Sequence, residues 1–157
     1  MRLDWDQTWM RVAITVAQRS KCINRQVGAV IVDKHNRPIA VGYNGPPANF
    51  KAAGSCKEFC ERGGSENRSA SYSNCVSVHA EANALLFADR REYEGGTIYV
   101  TSPCCFECAK LVSNSGLARV YMQVSTIDAH ASWDHIINFF QDSMLQVVIT
   151  ERESNAI

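Results

Sequence analysis

The sequence runs to 157 residues, 46% of them apolar, which is enough chain for one buried core and too little for two. Lys plus Arg and Asp plus Glu both number 16, so the formal net charge is zero; proteins that hold long nucleic acid by its phosphates carry a basic excess, and the balance here points to a small-molecule partner. No segment has the length of a membrane span, and Met1 to Met10 lack a signal-peptide apolar core, so the expected setting is the cytoplasm with no membrane partner.

The first element reads as an amphipathic helix, with Trp5, Trp9, Val12, Ala13 and Val16 on one face and both tryptophans expected in the core. Asp4 followed by Gln7 three residues later predicts a capping box. Val27–Val32 and Pro38–Tyr43 are short β-branched runs around a polar turn, Asp33–Arg37, and predict a hairpin that Asn44-Gly45-Pro46-Pro47 breaks off. Residues 45–78 form a long polar insertion without a period, carrying Cys56, Cys60 and Cys75. Helices are then expected at His79–Asp89, Cys105–Ser115 and Ser132–Gln141, and strands at Thr97–Thr101, Ala118–Val124 and Leu145–Thr150. Strands that alternate with helices predict a largely parallel sheet covered by helices, after an opening antiparallel hairpin, in a single domain over 1–157. The tail from Glu151 is polar and carries no pattern.

Seven cysteines, an odd number, read in a reducing compartment as metal ligands or buried thiols rather than a disulfide framework. Two short motifs concentrate the chemistry: His79-Ala80-Glu81 at one helix start and Cys105-Phe106-Glu107-Cys108 at another, directly after a strand. One imidazole and two thiolates, from His79, Cys105 and Cys108, make three ligands for Zn²⁺ and leave a fourth position open, the mark of a catalytic site. Zinc lowers the pKa of water at that position to about 7. Glu81, two residues from His79, is placed to shuttle protons without being a ligand. Either half alone is weak; together they are the signature of zinc deaminases as a class. The plain alternative is a buried histidine, a surface glutamate and a redox pair of thiols.

With these motifs the chain resembles the deoxycytidylate (dCMP) deaminases of the cytidine deaminase superfamily, over about Arg19 to Met122. Ser20-Lys21, Val27–Val32, Gly42-Tyr43-Asn44-Gly45, Val78–Ala84 and Glu107–Lys110 carry the likeness. The resemblance implies a three-layer α/β/α fold with a five-stranded mixed sheet. It also implies a homo-oligomer, often a hexamer, activated by dCTP and inhibited by dTTP. It gives Asn44 a contact to the deoxyribose, a role an amide suits because it both donates and accepts, against the alternative of a plain turn asparagine. By the same resemblance the backbone at Ala80 and Ser102 lines the base pocket. Lys21 and Arg25 are cations near the first strand and candidates for a 5′-phosphate; as good a reading is solvated surface charge.

Some phage and bacterial relatives carry a second zinc near this insertion. Here Cys22, Cys56, Cys60 and Cys75 are the candidate ligands, against free or buried thiols. Two departures stand out. The family has proline directly before its first zinc cysteine, where this chain has Cys104, so Cys104 competes with Cys105 as a ligand; the Cys-x-x-Cys spacing favours Cys105. After Met122 the usual tyrosine-bearing segment is replaced by one with His130 and Trp133. Trp133 reads as core or interface; if it lines the pocket instead, a 5-substituted dCMP becomes a candidate substrate. The runner-up enzyme, a tRNA adenosine deaminase, shares both motifs but is disfavoured by the zero net charge, by Gly42–Gly45 and by the cysteine-bearing insertion. A nucleotide-sensing zinc protein without chemistry has no use for Glu81.

Overall fold

The computed structural model describes residues 1–50, 60, 75–124 and 133–151. Most of the 45–78 insertion, including Cys56, therefore lies outside the described residues, as do His130 and the tail beyond Glu151.

Helix α1 (Trp5–Ala17) starts as its sequence dictates. The Gln7 N–H donates to the Asp4 carboxylate at 2.7 Å and the Gln7 side chain accepts from the Asp4 N–H at 3.1 Å, which closes the capping box. Its buried face is Trp9, Met10, Ala13, Ile14 and Ala17. The expectation for Trp5 fails: it is 53% exposed and stacks on Trp9 at 6.0 Å between ring centroids. Of the two rings only Trp9 belongs to the buried core.

Strands β1 (Gly28–Val32) and β2 (Pro38–Tyr43) form the expected hairpin, with a register shift between Ile31 and Val32. The five-stranded sheet has the order β2-β1-β3-β4-β5, with β3 at Thr97–Val100, β4 at Arg119–Val124 and β5 at Gln146–Glu151. β1 is antiparallel to both β2 and β3, whereas β3, β4 and β5 run parallel. The sheet is thus mixed, and the expected architecture is observed.

Alternation sorts the side chains into two cores. Val30, Val32 and Tyr99 meet α1 on one face. Ala29, Ile31, Ile98, Val100, Val120 and Met122 meet α2 (Ala80–Leu86), α4 (Phe106–Ser113) and α5 (Asp134–Asp142) on the other. α4 and α5 are the crossovers between successive parallel strands, and both pack on the same face, as connections of one hand require. Two glycines let helices approach the sheet. A Cβ on Gly28 would overlap the Ala13 carbonyl of α1, and one on Gly42 would overlap the Ala80 carbonyl of α2.

The helix expected over His79–Asp89 is shorter, and a second helix that the sequence does not predict follows it. α2 stops at Leu86, and Asp89 caps a separate short helix α3 (Arg90–Tyr93) by accepting from the Arg91 N–H at 2.9 Å. On the opposite face an ion pair ties α1 to the sheet: both Arg119 guanidinium nitrogens lie 2.7 Å from the Asp6 carboxylate, and the Tyr99 hydroxyl donates to the same group at 2.7 Å. No helix among the described residues is long and apolar enough to cross a membrane.

Candidate active site

The two chemical motifs sit on neighbouring elements of the same layer. β1 and β2 carry α2 through the Gly42 contact, and β3 feeds α4 through residues 101–105. His79 is the N-cap of α2, in extended backbone, with no capping bond from its side chain. Its ring is therefore left to other partners. Cys105 is the N-cap of α4, and its sulfur accepts from the Cys108 N–H at 3.4 Å. Unpaired N–H groups at a helix start favour negative charge there.

These placements bring the three ligand atoms together. His79 Nδ1 lies 3.4 Å from the Cys105 sulfur and 3.4 Å from the Cys108 sulfur, and all three lie within 4.8 Å of one another. Tetrahedral zinc with ordinary Zn–S and Zn–N bonds separates sulfur and nitrogen ligands by roughly 3.5 Å, so the residues fit that ion. Cys104 stands outside this group: it is fully buried, its thiol meets the Glu81 carboxylate, and its backbone N–H meets the Met122 sulfur at 3.4 Å. The thiols in reach of His79 are those of the Cys-x-x-Cys pair.

The electrostatics suit a cation. The Cys108 thiol beside it, and then His79, hold the Cys105 thiol well below the ordinary range. The Cys105 sulfur and burial push Cys108 far up. Two adjacent sulfurs cannot both ionise unaided; a cation between them removes that penalty. Contact with Cys105 raises His79. Glu81, in the first turn of α2 and 4% exposed, is raised by its burial. Burial raises the Cys104 thiol beneath it, reinforced by the Glu81 charge, so Cys104 stays neutral.

All of this opens on a cavity of about 480 Å³, with His79, Glu81 and Cys105 on its wall. Asn44, Arg25, Ala80 and Ser102 line it, and Lys21 is not among the lining residues. Asn44 is buried, and both ends of its amide already hold backbone: Oδ1 accepts from the Val27 N–H at 2.8 Å and Nδ2 donates to the Arg25 carbonyl at 2.8 Å. Each atom keeps one further valence for a ligand. Cys22, Cys60 and Cys75 also line the cavity, as free thiols. Among the described residues they do not close into a second group as tight as the first. Trp133 packs against the core and also lines the cavity, so it is not core alone. Asn24, Ser77 and Glu107 line it too. Glu107 sits inside the second motif, whereas nothing in the local sequence of Asn24 and Ser77 marks them, because only the meeting of distant segments brings them there.

Fold and site together define a class: an α/β/α protein in which a histidine and two thiols form a metal-binding group beside a sheltered carboxylate, at the wall of one cavity. Within that class the chain belongs to the cytidine and deoxycytidylate deaminases; the family model described as the cytidine and deoxycytidylate deaminase zinc-binding region matches residues 3–124. The chain is 42% identical over 121 residues to the deoxycytidylate deaminase of Mycobacterium phage D29, covering 76% of this chain and 94% of that one. It is 34% identical over 164 residues to the deoxycytidylate deaminase of Enterobacteria phage T4, covering 83% of each. Its fold resembles the crystal structure of dCMP deaminase from the cyanophage S-TIM5 in apo form, with a TM-score of 0.70 and 23% identity over 96% of this chain and all of that one.

Proposed function

We propose that the protein hydrolyses dCMP to dUMP and ammonia within a single domain. The observation that carries this is the sheltered Glu81 carboxylate beside the His79, Cys105 and Cys108 group. The curated relatives named deoxycytidylate deaminase support the substrate.

His79 Nδ1 and the Cys105 and Cys108 sulfurs hold the zinc. Bound there, it supplies a Lewis acid that makes water nucleophilic near neutral pH. Glu81 takes a proton from the attacking water at its carboxylate and passes protons to ring N3 and to the departing N4. The water oxygen bonds to C4, the C4–N4 bond breaks, and N4 leaves as ammonia. Burial keeps Glu81 a better proton carrier than a solvated glutamate. Asn44 offers its spare valences to a deoxyribose hydroxyl, Arg25 offers its charge to the 5′-phosphate, and the backbone at Ala80 and Ser102 holds the base. Ammonia release from dCMP that stops on chelation and returns with zinc supports the reading; chelator-insensitive turnover contradicts it.

Trp133 on the cavity wall favours one second reading, a dCMP bearing a 5-methyl or 5-hydroxymethyl group. Turnover of that nucleotide alone would select it. Three finer elements belong to the same proposal. A second, structural zinc uses Cys22, Cys56, Cys60 and Cys75; the shared cavity position of Cys22, Cys60 and Cys75 supports it, and one zinc equivalent per chain would remove it. dCTP activates and dTTP inhibits; a rate indifferent to both would remove the regulation. The chain forms a homo-oligomer, which the solvent-facing Leu86 (73% exposed) and Phe87 (79%) support.

A further inference from the structure

One side of the cavity is the 20–27 segment between α1 and β1. It has no helix or strand, yet it gives the wall Cys22, Asn24, Arg25 and Val27. Such a segment keeps one shape only if its backbone groups find partners. Here the partners converge on Asn44, at the far end of the hairpin. Besides its two amide bonds to Val27 and Arg25, the Asn44 N–H donates to the Val27 carbonyl at 3.2 Å. The Asn44 carbonyl accepts from the Ser20 hydroxyl at 2.7 Å. That hydroxyl also accepts from the Cys22 N–H at 3.1 Å, and the Gln26 side chain donates to the Ser20 carbonyl at 3.0 Å. Asn44 is followed by Gly45, which exchanges two backbone hydrogen bonds with Val78, the residue before His79.

We propose that Ser20 and Asn44 form a positioning clamp that holds the 20–27 segment in the shape that puts Arg25 on the cavity wall, and that Ser20 thereby sets recognition of the substrate's phosphate without touching substrate. Ser20 is 6% exposed and is not part of the wall. Its hydroxyl joins the start of the segment to Asn44.

The inference rests on the dCMP reading, and the wild-type enzyme separates the two. If wild type does not turn over dCMP, that reading has failed. If it does, Ser20→Ala and Gln26→Ala test the clamp in the zinc-loaded enzyme. Ser20→Ala is expected to raise KM for dCMP by roughly tenfold, the scale of one lost shielded hydrogen bond, with kcat within about threefold. Competitive inhibition by deoxycytidine, which lacks the phosphate, should stay within about twofold of wild type, because the base end is untouched. Gln26→Ala, a change at an exposed side chain, keeps the test open should Ser20→Ala not fold, and should show a smaller rise of the same kind. A dCMP KM unchanged in the folded variants, or deoxycytidine inhibition that weakens as much as the dCMP KM rises, overturns the clamp.

Discussion

The Cys105 sulfur lies 3.4 Å from His79 Nδ1, although 26 residues and the whole of β3 separate them in the chain. Both residues are N-caps, so each sits where its helix presents unpaired N–H groups. Cys105→Ser removes a soft ligand from a three-ligand site. It should lower bound zinc to well below one equivalent and cut turnover by at least about a hundredfold. Cys104→Ser should keep the metal, since Cys104 stands outside the His79, Cys105 and Cys108 group. Metal analysis of both variants decides the assignment; full zinc in Cys105→Ser would show it wrong.

Glu81→Gln keeps the shape of the side chain and removes its proton chemistry. Turnover should fall by about 10²–10⁴-fold, the usual worth of a general acid–base group. Zinc content should not change, because Glu81 is no ligand. Single-turnover ammonia release beside metal analysis reads both quantities, and a variant within tenfold of wild type would remove the proton-shuttle role.

The Asp6–Arg119 pair makes stability depend on acid. The Arg119 guanidinium, first, and the Tyr99 hydroxyl hold the Asp6 carboxyl below its usual range. A carboxyl with a lowered folded value stabilises the fold fully above its ordinary pKa of about 4, and that contribution fades as pH falls through the lowered value. Asp6→Asn should cost about 1–3 kcal/mol at pH 7. Denaturant unfolding of both proteins should show this gap closing as pH falls from 5 toward 3. A gap that stayed constant would contradict the ionic origin.

Gly42→Ala places a methyl group against the Ala80 carbonyl and the Ala84 N–H, backbone that cannot yield cheaply. It should destabilise the protein by about 1–3 kcal/mol and loosen the metal helix with it. Gly45→Ala meets nothing within 4 Å and should fall within about 1 kcal/mol of wild type. Thermal unfolding with zinc retention compares the two; equal effects would mean that the close approach of β2 to α2 does not position the site.

Much of this was legible in the residues. Helix and strand periods, the Asp4–Gln7 box and the two metal motifs are local signals, and local signals survive folding. Trp5 lies on the apolar stripe, yet its ring stays exposed and stacks on Trp9 instead of entering the core. The short helix α3 is not legible in the sequence because it depends on the Asp89 cap rather than on periodicity. Asn24, Ser77 and the Ser20 hydroxyl were invisible for a different reason: their roles arise from segments far apart in sequence. The resemblance marks Asn44, yet the bonds its amide makes within the protein cannot be read from its neighbours.

The most direct test of the central claim is ammonia release by the zinc-loaded wild-type protein from dCMP, CMP and deoxycytidine, compared as kcat/KM. The account predicts that dCMP exceeds both others by at least about tenfold, since deoxycytidine lacks the phosphate that Arg25 meets and CMP brings an extra 2′-hydroxyl to the sugar that Asn44 holds. Equal turnover of all three, or none of dCMP with zinc bound, would contradict it.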